Sequence, residues 1–196
     1  MITHKGTQEI RAKRLLLRPF RPEDARAMFE TWARDERVTR YLTWEPHSSP
    51  ELTRQLLEEW CAAYENPETY NWAIELDGKI IGNISVVRFS DKHEYAELGY
   101  CMGFDYWNRG IMSEAAGAVI DYLFAEVGVN RVAISHAVKN PASGRVAQKC
   151  GLTYEGTHRE VFKKSDGVFL DVSDYSILRR EWEATAAAFR SPGSAG

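Results

Sequence analysis

The chain contains no long apolar run: no stretch approaches the ~20 apolar residues that a helix needs to cross a bilayer. Cysteine is scarce. Cys61, Cys101 and Cys150 stand far apart, with no Cys-x-x-Cys and no neighbouring His pair. That spacing argues against a disulfide framework and a zinc module, so reduced thiols in a cytoplasmic protein and no metal are expected. Positive charge is not in excess, because 25 Lys and Arg face 28 Asp and Glu, for a net of −3. A nucleic-acid partner is therefore not expected. Gly-x-Gly-x-x-Gly and Gly-x-x-x-x-Gly-Lys-Ser/Thr are both absent, which leaves the usual dinucleotide and nucleoside-triphosphate cradles unsupported. Met1 to Arg11 is polar, without the apolar stretch of a secretory signal, and no membrane association is expected.

What is present suits one domain. A chain of 196 residues with 44% hydrophobic residues can bury a core without staples. Leu15-Leu16-Leu17-Arg18-Pro19 reads as the end of a strand that begins near Ile10. Pro22 opens a helix, with Glu23 and Asp24 in its first turn. Ser48 and Glu51 have capping-box spacing before a stripe of Leu52, Leu56 and Trp60. Between these helices lies an aromatic loop, Tyr41 to Pro46.

The middle of the chain is β-rich. Strands from Tyr70 to Leu76 and Lys79 to Arg88 flank Asp77-Gly78, a two-residue hairpin signal, and Glu94 to Met102 is a further strand. Ser113 to Val127 is helical and ends at Gly128. A strand from Arg131 to Ala137, a helix from Pro141 to Cys150, and a hairpin of Leu152 to Lys163 with Val168 to Leu178 around Ser165-Asp166-Gly167 follow. Arg179 to Phe189 adds a terminal helix. Antiparallel strands followed by a helical crossover imply a mixed sheet of α+β type with helices on both faces.

Two segments carry chemistry. In Tyr106-Trp107-Asn108-Arg109-Gly110-Ile111-Met112-Ser113 a strand-to-helix loop ends at a glycine. A helix N-terminus there offers unpaired N–H groups and a positive dipole end, Gly110 leaves the backbone open, and Arg109 adds a cation; together they suit a pyrophosphate. A plain helix start with a glycine explains the same residues. In Asn140-Pro141-Ala142-Ser143-Gly144-Arg145-Val146-Ala147-Gln148-Lys149-Cys150-Gly151, Asn140 and Pro141 read as a helix start and Gly151 as its end.

The order of these pieces resembles the GNAT superfamily of acyl-CoA-dependent N-acetyltransferases, and within it the branch of ribosomal-protein alanine N-acetyltransferases. The matching residues are Arg14-Leu15-Leu16-Leu17-Arg18, Glu97-Leu98-Gly99-Tyr100, Tyr106 to Ala115, and Asn140-x-x-Ser143-x-x-Val146-Ala147-x-Lys149-x-Gly151-Leu152 with Glu155-Gly156. The likeness covers roughly residues 10–182, taken as one N-acetyltransferase domain with flexible termini at 1–9 and 190–196. Met112 departs from the superfamily pattern, which usually has Gly or Ala there, although this branch tolerates Met.

The resemblance implies a mixed seven-stranded sheet in which the strand Glu97 to Met102 splays from Arg131 to Ala137, with acetyl-CoA lying in the V. Backbone groups of Tyr100, Cys101 and Met102 would hold the pantetheine arm. The N–H groups of Arg109, Gly110, Ile111, Met112 and Ser113 would hold the pyrophosphate, and Asn140 the other wall. Arg145 and Lys149 fall near the phosphate end. Ser143 matches the position that supplies the general acid to the leaving thiolate. Glu97 is either the general base or a structural anchor, and Glu160 is a second candidate. A covalent route through Cys101 needs an activated thiolate, and no His lies beside it in sequence. By analogy Tyr41, Trp44, Glu45 and Glu160 line the acceptor pocket; Trp44 alternatively covers the core edge.

The implied activity is direct transfer of an acetyl group to a primary amine, foremost a protein N-terminal α-amine. A small amine (polyamine, amino acid or aminoglycoside) is the alternative acceptor, and a non-catalytic acyl-CoA-binding module is a second alternative. Monomer and homodimer both remain open.

Overall fold

The computed structural model describes residues 1–164 and 166–190. Its sheet has eight strands rather than seven, in the order β1-β2-β3-β4-β5-β6-β8-β7. The extra strand arises because the first expected strand is broken. β1 (Ile10–Arg11) and β2 (Leu15–Arg18) pair antiparallel across a turn in which the Ala12 N–H donates to the Leu15 carbonyl at 2.9 Å. β3 (Asn71–Leu76) and β4 (Lys79–Ser90) meet at Asp77-Gly78, where φ of 51° and 76° supplies the left-handed turn that matches strand twist. β5 (Tyr95–Met102) continues the antiparallel run, and β6 (Arg131–Ala137) lies parallel to it. β7 (Thr153–Lys163) and β8 (Phe169–Leu178) form the closing hairpin; Ser165 of its expected turn lies outside the described residues.

Helices cover both faces. On one face α4 (Ile111–Tyr122) and α5 (Pro141–Lys149) pack on a cluster that includes Trp72, Ile84, Leu98, Val119, Phe124 and Ile134. α4 widens into a π turn at Leu123–Val127 and is closed by Gly128 at φ 91°, a conformation that favours glycine. On the other face a smaller cluster is built on Phe20, Met28, Trp32 and Leu57. It joins the segment opened by Pro22 (a short 3-10 turn, α1 at Ala25–Met28, and a π turn at Phe29–Ala33) to α3 (Pro50–Ala63). A short α2 (Glu36–Thr39), absent from the expected elements, is capped by the Asp35 carboxylate. The cap of α3 is Ser49 rather than Ser48: its hydroxyl accepts from the Leu52 N–H at 3.3 Å, because Pro50 takes the first helical position. The last helix, α6, runs Arg179–Arg190.

Residues 1–9, expected as a flexible terminus, are instead bonded to the body. Thr3 N–H donates to the Val127 carbonyl at 2.9 Å, Tyr122 Oη to the Gly6 carbonyl at 2.8 Å, and Trp72 Nε1 to the Gln8 carbonyl at 2.7 Å. Two buried aromatic polar atoms need acceptors, and this segment provides them. At the other end, 191–196 lie outside the described residues.

Candidate active site

The central feature is where β5 and β6 part. Their parallel pairing runs from Tyr95↔Arg131 to Leu98↔Ile134 and stops. Beyond it Gly99–Met102 stays on β4, while Ser135–Ala137 stays on β8. The two strands thus leave a V-shaped slot whose facing backbone edges have no ladder partner. The bend has a local cause. β4 shifts register between Val86 and Arg88, a bulge that increases twist where β5 leaves β6. Gly99 lies close under this bulge: a Cβ at that position would stand 2.5 Å from Val87 Cγ1, so the exposed valine side chain would have to turn aside.

Side chains close the inner end of the slot. Tyr100 reaches from β5 to α5, with its hydroxyl 2.8 Å from Ser143 Oγ and 3.2 Å from the Ser143 carbonyl. Burial raises the Tyr100 hydroxyl's pKa, so it stays protonated. α5 starts at Asn140-Pro141 and lies close on β6 through Gly144, where a Cβ would stand 2.7 Å from His136 Nε2. That imidazole is bonded through Nδ1 to the Ala137 carbonyl at 2.8 Å and stacks on Tyr175 at 5.6 Å, and its Nε2 is buried with no partner.

At the outer end, Gly110 takes φ 72° and leads into α4 with no side-chain cap. The first N–H groups of this helix have no intrahelical partner, and its dipole favours an anion. Arg109 is exposed, as are Arg145 and Lys149 on α5. Met112, at the position where the family pattern usually has a small residue, is 6% exposed and packs into the core, so its bulk stays off this surface. The loop is pinned by Trp107, whose Nε1 donates to the Met102 carbonyl at 2.7 Å.

Glu97 sits in the paired part of β5, below the opening. Tyr95 Oη donates to its Oε2 at 2.9 Å, and Arg88 Nη1 lies 3.4 Å from the same oxygen. Cys101 points to the opposite face from Tyr100 and bonds Asn83 Oδ1 at 2.8 Å; burial pushes its thiol up to about 12. A thiol so held is not an activated nucleophile. Trp44 and Cys101 pack against the same apolar cluster, which places part of the aromatic loop on the face of β5 that carries Cys101. Trp44 also lies 5.4 Å from the ring of His47, whose pKa is lowered by burial. Tyr41 is stacked under Arg40 at 5.4 Å, and Glu45 is exposed on the same loop. Glu160 is elsewhere, on a β7 bulge at φ 51°, three strands from β5 in the sheet order.

The structure therefore brings Tyr100, Ser143 and Asn140 to one slot and Arg109–Ser113 to its mouth, and keeps Glu160 apart. Sequence reasoning used Tyr100 only for its backbone and passed over His136 as a neighbour of α5. These residues fit an acyl thioester with a phosphate-bearing tail. Unpaired strand edges suit an amide-bearing arm, and a helix N-terminus suits its phosphates.

Comparison with known proteins agrees. The acetyltransferase (GNAT) domain family matches residues 14–153. The uncharacterized N-acetyltransferase YoaA of Bacillus subtilis is 33% identical over 168 residues, covering 85% of this chain and 94% of that protein. The ribosomal-protein-serine acetyltransferase of Escherichia coli is 27% identical over 130 residues, covering 66% of this chain and 72% of that protein. Among solved structures, a GNAT-family acetyltransferase from Bacillus anthracis superposes with a TM-score of 0.77 at 28% identity, covering 89% of this chain and all of that one.

Proposed function

The chain belongs to the acetyltransferase (GNAT) family and is an acetyl-CoA-dependent N-acetyltransferase, and from that premise we propose that its acceptor is the α-amine of a protein N-terminus. Acetyl-CoA supplies the activated thioester. The catalytic unit spans residues 10–182 and works in the cytoplasm. Its acceptor is ribosomal-protein-like, a reading supported by the Escherichia coli relative.

The observation that carries the mechanism is the Tyr100–Ser143 hydroxyl pair bridging the slot. Either hydroxyl of the pair can donate; with Tyr100, kept protonated by burial, as the donor to Ser143 Oγ, the serine proton is free to point at the leaving sulfur. Backbone N–H groups along Tyr100–Met102 polarise the thioester carbonyl, which is the most economical way to stabilise developing negative charge. The neutral amine attacks that carbon, the C–S bond breaks, and the amine's surplus proton ends on sulfur, with Ser143 hydrogen-bonded to it. Asn140 orients the donor arm, and the N–H groups of Arg109 to Ser113 bind its pyrophosphate, with Arg145 and Lys149 adding positive charge. Tyr41, Trp44 and Glu45 line the acceptor approach.

Base strength supports the α-amine. Glu97 is engaged by both Tyr95 and Arg88, which suits an anchor or a weak, water-mediated base. An α-amine of pKa ~8 is roughly a tenth neutral at pH 7, whereas a lysine amine of pKa ~10.4 is less than one part in ~1,000 neutral. A weak base therefore serves the first far better.

The test is CoA-thiol release with peptides bearing free N-terminal Ser or Ala, the same peptides N-terminally blocked but containing lysine, and a panel of polyamines, amino acids and aminoglycosides. Turnover confined to free N-termini is the expected result. Turnover only with small amines overturns the acceptor assignment, and CoA binding without transfer to any amine overturns the catalytic one.

A further inference from the structure

Arg14 lies in the turn between β1 and β2, yet it closes on the start of α4, 100 residues further along the chain. Its backbone N–H donates to Glu114 Oε1 at 2.6 Å and its Nε to Glu114 Oε2 at 2.7 Å. Its Nη1 donates to the Arg109 carbonyl at 3.2 Å. Nη2 lies 3.9 Å from the point where a Cβ on Gly110 would stand. One guanidinium therefore spans the loop that precedes the helix and a carboxylate in its first turn. Glu114 is largely covered at 16% exposure, which protects the pair from screening better than a fully exposed one.

The loop needs such a brace. Asn108 and Gly110 both adopt left-handed conformations, at φ 59° and 72°, and no side chain caps α4. Asn108 tolerates that conformation better than most side chains, so the turn itself is local, but the direction in which it aims the helix start is left to contacts from outside the loop. The carbonyl that Arg14 holds belongs to the peptide joining Arg109 to Gly110, and the orientation of that peptide sets the direction of the following N–H groups.

We propose that Arg14 is a positioning residue for the donor's pyrophosphate. By fixing the Arg109–Gly110 peptide against Glu114, it aims the N–H groups of Ile111 to Ser113 at the phosphates. The inference rests on the reading of α4 as the pyrophosphate site. Lysine cannot substitute, since a single ammonium cannot present the guanidinium fork to Glu114 and the Arg109 carbonyl together.

The experiment measures KM and kcat for the wild type, Arg14→Ala and Arg14→Lys with two donors, acetyl-CoA and S-acetylpantetheine. The second carries the same thioester without the pyrophosphate, so it reports folding and chemistry apart from phosphate binding. Both variants are expected to raise KM for acetyl-CoA about tenfold, the loss of one charge-assisted hydrogen bond at the phosphate. Their kcat/KM with S-acetylpantetheine is expected to stay at the wild-type value. An unchanged KM for acetyl-CoA overturns the inference. Full restoration by lysine overturns the brace in favour of simple charge. Equal loss with both donors in Arg14→Lys also overturns it, as a purely structural role. A wild-type enzyme that does not discriminate between the donors overturns the reading of α4 itself, and the inference with it.

Discussion

The contact between α5 and β6 allows a sharp test through Gly144→Ala. The new Cβ would stand 2.7 Å from His136 Nε2 and 3.1 Å from Cε1, so it falls about 0.7 Å short of the 3.4 Å at which ordinary contact begins. The imidazole cannot yield easily, because its Nδ1 is bonded to the Ala137 carbonyl and its face is stacked on Tyr175. The helix must therefore move. Overpacking of this kind costs ~1–3 kcal/mol, while replacing a helical glycine by alanine returns ~1 kcal/mol. The net is a destabilisation of roughly 0–2 kcal/mol, or a fall in Tm of up to about 8 °C for a domain of this size. A shift of about 0.7 Å also stretches the Tyr100–Ser143 bond from 2.8 Å toward the limit of hydrogen bonding. Activity should fall more than stability suggests, with kcat down about tenfold, the loss of ~1.4 kcal/mol of barrier lowering. Thermal unfolding and steady-state kinetics read the two effects separately. His136→Ala in the same chain removes the clash and should restore most of kcat. A rise in Tm with unchanged kcat would mean that the helix-propensity gain prevails and that Gly144 is not needed for close approach.

Other expectations follow from the same geometry. Ser143→Ala should lower kcat about ten- to hundredfold while KM for acetyl-CoA moves little; an unchanged kcat removes Ser143 from the chemistry. Cys101→Ala should retain turnover, and mass spectrometry of the wild type quenched with acetyl-CoA alone should find no acetyl group on Cys101. The Cys101 thiol, raised from 9.0 to about 12 by burial, holds its proton longer folded than unfolded. Its contribution to stability is thus full below about pH 9 and lost as pH rises toward 12, so Cys101→Ala should show a shallower alkaline decline in Tm. Glu155 behaves in the opposite sense. Bonding to Arg131 holds its carboxyl down at about 2 against an ordinary 4.5, so its contribution is present above pH 4.5 and lost toward pH 2. Glu155→Gln should flatten the acid limb of a Tm–pH curve, by a modest amount because the carboxylate is 39% exposed and screened.

Much of this protein is legible in its sequence for local reasons. Asp77-Gly78 forces a left-handed turn and so pairs β3 with β4. Gly128 ends its helix by the same conformational rule. Pro50 at the first helical position explains both the real start of α3 and why Ser49, not Ser48, caps it. The ordered motifs from Arg14 to Gly156 lead to the family, because the backbone demands of a splayed strand and a helix N-terminus leave residues at recognisable spacing. The bonded N-terminal segment was not legible, since its partners Trp72, Tyr122 and Val127 are distant in the chain, nor was the eighth strand, since the break at residues 12–14 carries no glycine or proline to mark the turn.

The chemistry divides in the same way. Residue types and their order determined that a helix should start at Gly110 and that a serine should stand at the head of α5. Only the tertiary structure decided that Tyr100 reaches Ser143 across 43 residues, that Arg14 clasps Glu114 across 100, and that Glu97 is spent on Tyr95 and Arg88. Turns and caps are set by φ and by neighbours within one helical turn, so composition and spacing record them. Contacts between side chains on separate elements are set by packing of the whole sheet, and no local pattern encodes which partner each will meet.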